Sequence, residues 1–170
     1  RLPLLAIDPP ARVFAGAVEL EQAYIDFALT DNVSLRAGSF LVRVGMINES
    51  HEPPTFFGVE RNPVERFIIP ATWWEAGAGA TARLGNGITL DGAITTGMNG
   101  KPEDNFAVRA ARQELAEGTL AKRPAYTGRV KWTGMPGVEL AGTVQYQSDM
   151  AQGTDAAVGS ALLYEGHAAI

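Results

Sequence analysis

Apolar and polar residues alternate along this chain with a period of two, and no other feature constrains its fold as much. In VELAGTVQYQ (138–147), Val138, Leu140, Val144 and Tyr146 take one set of alternate positions, and Glu139, Thr143, Gln145 and Gln147 take the other. ITLDGAITTG (88–97) sets Ile88, Leu90 and Ile94 against Thr89, Asp91 and Thr95. YTGRVKW (126–132) sets Tyr126, Val130 and Trp132 against Thr127, Arg129 and Lys131, and VSLRAG (33–38) sets Val33 and Leu35 against Ser34 and Arg36. Side chains alternate across a strand, so each segment has one apolar and one polar face.

The connections fall into two classes. Three are short: TDN (30–32), LGNG (84–87) and TGMPG (133–137). Their Gly, Asn, Asp and Pro supply the backbone angles of tight hairpins. Three are long: about 43–71, 99–123 and 148–157. Within the second, DNFAVRAARQELAEG (104–118) reads as a short helix or an irregular loop. With a last strand around 158–168, the plan holds about seven strands, joined alternately by short and long connections.

Composition removes several function classes. The chain has 14 Lys+Arg against 19 Asp+Glu, a net charge of -5, which disfavours a nucleic-acid partner. It has no cysteine, which excludes a disulfide scaffold, a thiolate metal site and a cysteine nucleophile. No apolar run approaches the ~18–20 residues of a membrane helix. The opening RLPLLAIDPP has no secretory-signal pattern, so the signal of an exported form is expected outside this sequence.

Two all-β architectures fit the alternation. A soluble β-sandwich or jelly roll would serve as a binding module for a carbohydrate or a protein. An antiparallel transmembrane β-barrel with short periplasmic turns and long extracellular loops fits better. Strands near ten residues exceed the usual five or six of soluble sheets and match a tilted membrane strand. Aromatics also gather at strand ends: Trp73, Trp74, Tyr126, Trp132 and Tyr146 are the expected membrane-interface residues.

The run HEPPTFFGVERNPVERFIIPATWWEAGAG and the later AYTGRVKWTGMPGVELAGTVQYQSD resemble Gram-negative outer-membrane porins of the phosphate-selective type. The most specific part lies in 45–77, where GMINE, HEP, VERN and IIPATWWE follow in that order. The resemblance implies a closed barrel in the outer membrane, in contact with lipid and lipopolysaccharide and commonly a homotrimer. It implies passive diffusion of small hydrophilic solutes or ions, with anions such as phosphate among the candidates. Phosphate selectivity itself is not carried over, because no basic inward ladder is visible and only Lys101, Lys122 and Lys131 are lysines. Seven strands leave two open edges, and bacterial barrels use an even number of strands, eight or more. Residues 1–170 are therefore expected to be part of a single barrel domain whose closing strands lie elsewhere.

In such a barrel the polar phase faces the lumen. The pore-lining candidates are Asp26, Arg36, Glu75, Arg83, Asp91, Arg129, Lys131 and Glu139, in a mixed-charge belt expected toward the short turns. They form either a selectivity belt, with Arg36, Arg83, Arg129 and Lys131 as an anion path, or a network of ion pairs that stiffens the wall. Arg109 and Arg112 are constriction candidates if their loop folds inward. Phe56, Phe57, Phe67, Ile68 and Ile69 are too apolar for a free loop tip, and are expected in the barrel mouth or against another protomer. Glu60, Arg61, Glu65 and Arg66 are expected to pair locally. Glu19 and Glu21 fall on the apolar phase, so they should lie beyond the lipid band or before a bulge. No catalytic, metal or cofactor site is expected. Ser50 beside His51 is adjacency only, and Glu49, His51, Glu52 and Glu60 lack a helix to fix them as ligands.

Overall fold

A computed structural model describes residues 21–51, 62–115 and 118–170. Seven strands form one antiparallel sheet in chain order: β1 (Ala23–Ala28), β2 (Val33–Leu41), β3 (Trp74–Arg83), β4 (Ile88–Thr95), β5 (Ala125–Met135), β6 (Val138–Gln147) and β7 (Ala161–Ala169). Each strand pairs with its neighbours in sequence, and β1 and β7 do not pair with each other, so the sheet does not close among the described residues.

Three tight turns lie at one end of the sheet. After β1, the Thr30 hydroxyl accepts the N–H groups of Asn32 and Val33. Between β3 and β4, Asn86 and Gly87 take positive φ. Between β5 and β6 the turn is Pro136-Gly137, with Gly137 at φ 79°. The last turn is shorter than the TGMPG spacing predicts. β5 runs on through Thr133 and Gly134 to Met135, with a register irregularity after Trp132 that absorbs the extra residues.

The alternation is present with its faces inverted relative to a soluble domain. Leu35, Leu90, Ile94, Tyr126, Val130, Leu140, Val144, Tyr146, Leu162 and Tyr164 are exposed. On the opposite face Asp91, Thr95, Thr127, Arg129, Thr143, Gln145 and Gln147 are buried. A sandwich would bury the apolar face against a second sheet, but all the described strands lie in one sheet and that face stays open.

The apolar core sits in the long connections. Val42, Val44, Ile69, Trp73, Met98, Ala111 and Met150 cluster together, with Phe106, Val108, Val158, Ala161 and Leu163 packed against them. All three long segments, 42–73, 96–124 and 148–160, contribute, so they share one core at the end opposite the tight turns. Within 96–124 the predicted helix is a single turn, α1 (Val108–Ala111), preceded by a 3-10 turn at Pro102–Asp104.

β3 carries Gly77 and Gly79 on its polar face. A Cβ at Gly77 would lie 2.2 Å from the Ile94 carbonyl oxygen of the paired strand. Gly77→Ala is therefore expected to destabilise the protein by about 1–3 kcal/mol, as overpacking against backbone does. Equilibrium denaturation checks this; an unchanged midpoint would show that the β3–β4 approach is looser than described.

Candidate functional site on the polar face

Register creates the first element of the site. Antiparallel pairing sets Asp91 of β4 opposite Thr81 of β3 on one side and Arg129 of β5 on the other. The Thr81 hydroxyl donates to Asp91 Oδ1 at 2.8 Å, and Arg129 Nε donates to Asp91 Oδ2 at 3.0 Å.

The second element comes from the connection after β2. Segment 42–51 continues from the end of β2 and lies across the polar face. The Arg43 guanidinium donates to Thr81 Oγ1 at 2.7 Å and also bonds Asp91. The Arg43 carbonyl accepts the Thr143 hydroxyl of β6 at 3.3 Å. Glu49, on a 3-10 turn (Asn48–Ser50), accepts Arg43 at 3.0 Å and Arg129 at 2.5 Å. Arg43, Asp91, Arg129 and Glu49 thus form a closed ring of two cations and two anions. The cleft beside them, lined by Asp26, Arg36, Phe40 and Gly79 among others, has about 30 Å³ of room, enough for two or three waters.

Burial pushes the Glu49 carboxyl up, but Arg129 and Arg43 outweigh it and hold the group below the usual carboxylate range. Its ion pairing therefore stabilises the fold above the ordinary carboxylate pKa. That contribution is lost as pH falls through the lowered value.

The candidate pore residues divide in position. Arg36 pairs with Asp26 across β1–β2 at 2.6 Å and lies 4.1 Å over the Tyr24 ring. Lys131 reaches Glu139 at 3.6 Å, and His167 lies between Glu139 (3.1 Å) and Glu165 (2.8 Å). Arg83 is exposed beside the β3–β4 turn. Three of the four basic residues proposed as an anion path therefore face carboxylates. Asp91 and Arg129 sit in mid-sheet beneath segment 42–51 rather than near the turns. Glu75 differs most from expectation: it lies at the long-connection end, fully buried. There it accepts Trp73 Nε1 at 2.8 Å and the Gly97 N–H at 2.7 Å.

Other expected positions also change. Arg109 donates to the Arg66 carbonyl at 2.9 Å, and Arg112 donates to the Thr72 carbonyl at 2.6 Å and pairs with Glu114. They tie one long connection to another, and it is segment 42–51 that lies on the polar face. Trp73 and Trp74 are buried, Trp73 in the loop core, in place of the membrane-interface position expected for them. Tyr126 and Tyr146 are exposed and face each other across β5–β6, while Trp132 is half-buried. Ile69 is buried, and Phe67 and Ile68 are exposed. The Glu65 oxygens accept the N–H groups of Met46 (2.5 Å) and Ile47 (2.6 Å). Glu21 lies just before β1 and pairs with His51 at 3.3 Å. Glu19, Glu52, Phe56, Phe57, Glu60 and Arg61 lie outside the described residues.

Sequence reasoning missed Arg43 as a site residue and considered Glu49 only as a metal ligand. The signal for Arg43 was a lone cation inside the apolar run FLVRVGMI. It also missed four carboxamides that act as staples. Asn48 bonds Val42 and Trp73, and Gln113 bonds Gly97 and Leu120. Gln147 holds both the N–H and the carbonyl of Met98, and Gln152 bonds Thr96, Met98 and Arg123.

No protein-family model matches the chain, and no solved structure matches it. A protein of Aquifex aeolicus (strain VF5), described as an uncharacterized protein, is 36% identical over 119 residues, covering 68% of this chain. Those 119 residues are 27% of the relative, so it is roughly 440 residues long and the chain spans about a quarter of it.

Two outcomes follow. Arg129→Met leaves Asp91 and Glu49 short of a cation on a buried face and is expected to cost about 3–5 kcal/mol, read from denaturant midpoints; a cost below 1 kcal/mol would show that Arg43 alone suffices. The second concerns Glu65. Burial raises its pKa above the ordinary carboxylate value despite the two N–H donors. Its contribution to stability is therefore complete below about pH 4.5 and is lost as pH rises through the raised value. Because the amide stands in for the protonated carboxyl, wild type and Glu65→Gln should melt closest together in acid, and the variant should gain on wild type as pH rises; a variant that loses ground with rising pH would contradict the assignment.

Proposed function

We propose that this chain forms part of the wall of an outer-membrane β-barrel in a Gram-negative bacterium, through which small hydrophilic solutes diffuse passively. One observation carries the reading: the strands expose their apolar face and bury their polar one. In water that arrangement is costly, because apolar exposure forfeits about 25 cal/mol per Å². In a bilayer it is the favourable one, since lipid covers the apolar face and a wet lumen meets the polar side.

Three further features support it. β2, β3 and β5–β7 run 9–11 residues, the length a tilted strand needs to cross the hydrocarbon core. Tight turns gather at one end and long connections at the other, as in outer-membrane barrels. Among the described residues β1 and β7 each leave one edge open, which further strands of a barrel would cover. The Aquifex relative, at roughly 440 residues, has room for about sixteen to eighteen strands at this spacing, the size at which barrels enclose an aqueous channel.

Val130→Arg separates this reading from a soluble binding module. Val130 lies within β5 on the apolar face. In a bilayer, arginine near the midplane costs about 2–4 kcal/mol, whereas at an exposed site of a soluble sheet it costs about 0.5 kcal/mol or less. Refolding of the full-length protein into lipid vesicles reads the difference. A large cost, with stepwise conductance of the wild type in planar bilayers, supports the channel. A negligible cost in a protein that stays monodisperse without detergent refutes it.

A further inference from the structure

We propose that segment 42–51 is the constriction of this channel and that Glu49 sets its ion preference, an inference that rests on the channel reading above. The segment crosses the polar face in contact with four strands. Arg43 reaches Thr81 of β3 and Asp91 of β4, Glu49 reaches Arg129 of β5, and the Arg43 carbonyl accepts Thr143 of β6. Its path is fixed at the base by Asn48, whose carboxamide bonds the Val42 carbonyl and both the N–H and the carbonyl of Trp73. Glu65 holds the Met46 and Ile47 N–H groups from the other side. A segment anchored at both ends keeps its charged side chains in place.

The four charges of the ring cancel, but solvent does not meet them equally. Arg129 and Asp91 are 4% and 5% exposed at the side chain, Arg43 is 22% and Glu49 is 35%. A permeating ion therefore meets a carboxylate first, with the guanidinium groups behind it already engaged. That arrangement does not concentrate phosphate or other oxyanions, which need unpaired cationic donors. Removing the carboxylate of Glu49 leaves two guanidinium groups against Asp91 alone, a net positive ring. Removing the cation of Arg43 leaves a net negative one.

The test is the reversal potential of the full-length protein in planar bilayers under a potassium chloride gradient. Glu49→Gln is expected to raise the chloride-to-potassium permeability ratio at least about twofold, and Arg43→Gln to lower it by a similar factor. The double variant should return toward wild type, and Glu103→Gln, on the exposed turn Pro102–Asp104, should leave the ratio unchanged. Opposite shifts from the two single variants, cancelled in the double, support the assignment. Conducting variants with an unchanged ratio overturn it while leaving the channel reading intact. A wild type that inserts but never conducts overturns both. If Glu49→Gln fails to refold, the Arg43→Gln shift and its cancellation in the double variant decide alone.

Discussion

The structure depends on one constraint: a face that buries charged and polar side chains must satisfy their charges and hydrogen-bonding groups. Unpaired buried charge costs several kcal/mol, so the sheet forms only if its register brings partners together. Register does so here. Asp26 lies opposite Arg36, and Asp91 lies between Thr81 and Arg129. A slip of one residue in β4 would turn Asp91 to the apolar face and leave Arg129 beneath Glu49 alone. The ring of Arg43, Glu49, Asp91 and Arg129 thus ties the pairing of β3, β4 and β5 to the path of the connection after β2.

The long connections obey the same rule by another means. Backbone groups in irregular segments have no ladder to join, and burial leaves them without water. Asn48, Gln113, Gln147 and Gln152 supply carboxamides that mimic a passing strand, with an N–H pair to donate and a carbonyl to accept. Glu65 and Glu75 supply carboxylates to N–H groups that point inward. The apolar core of Val42, Trp73, Met98 and Met150 then holds the connections together. Order at this end of the molecule comes from buried polar staples around a small apolar centre.

Much of this plan was legible in the sequence. Alternation in VELAGTVQYQ marked β6 from end to end, and LGNG and TDN marked two turns closely. Strand number and the short-long sequence of connections followed from those signals, because period and turn chemistry are local. Three things were not legible. Arg43 and Glu49 act through contacts with residues 48 and 80 positions away, which no local pattern carries. The carboxamide staples read as polar residues of a strand or loop, since nothing local distinguishes a buried glutamine from an exposed one. Trp73 read as an interfacial anchor because it ends a proline-rich loop beside a strand. Its burial depends on Glu75, which accepts its indole N–H from two residues on.

In the proposed barrel the apolar face of the sheet meets lipid and the polar face does not. The sequence contains no cysteine, so a single introduced thiol can carry a spin label at a chosen position. Labels placed one at a time from Tyr126 to Trp132 in β5, in protein refolded into vesicles, report exposure to oxygen dissolved in lipid and to a water-soluble nickel complex. The barrel predicts high oxygen and low nickel accessibility at 126, 128 and 130, and low oxygen accessibility at 127, 129 and 131. High nickel accessibility at 126, 128 and 130 would place that face in water and contradict it.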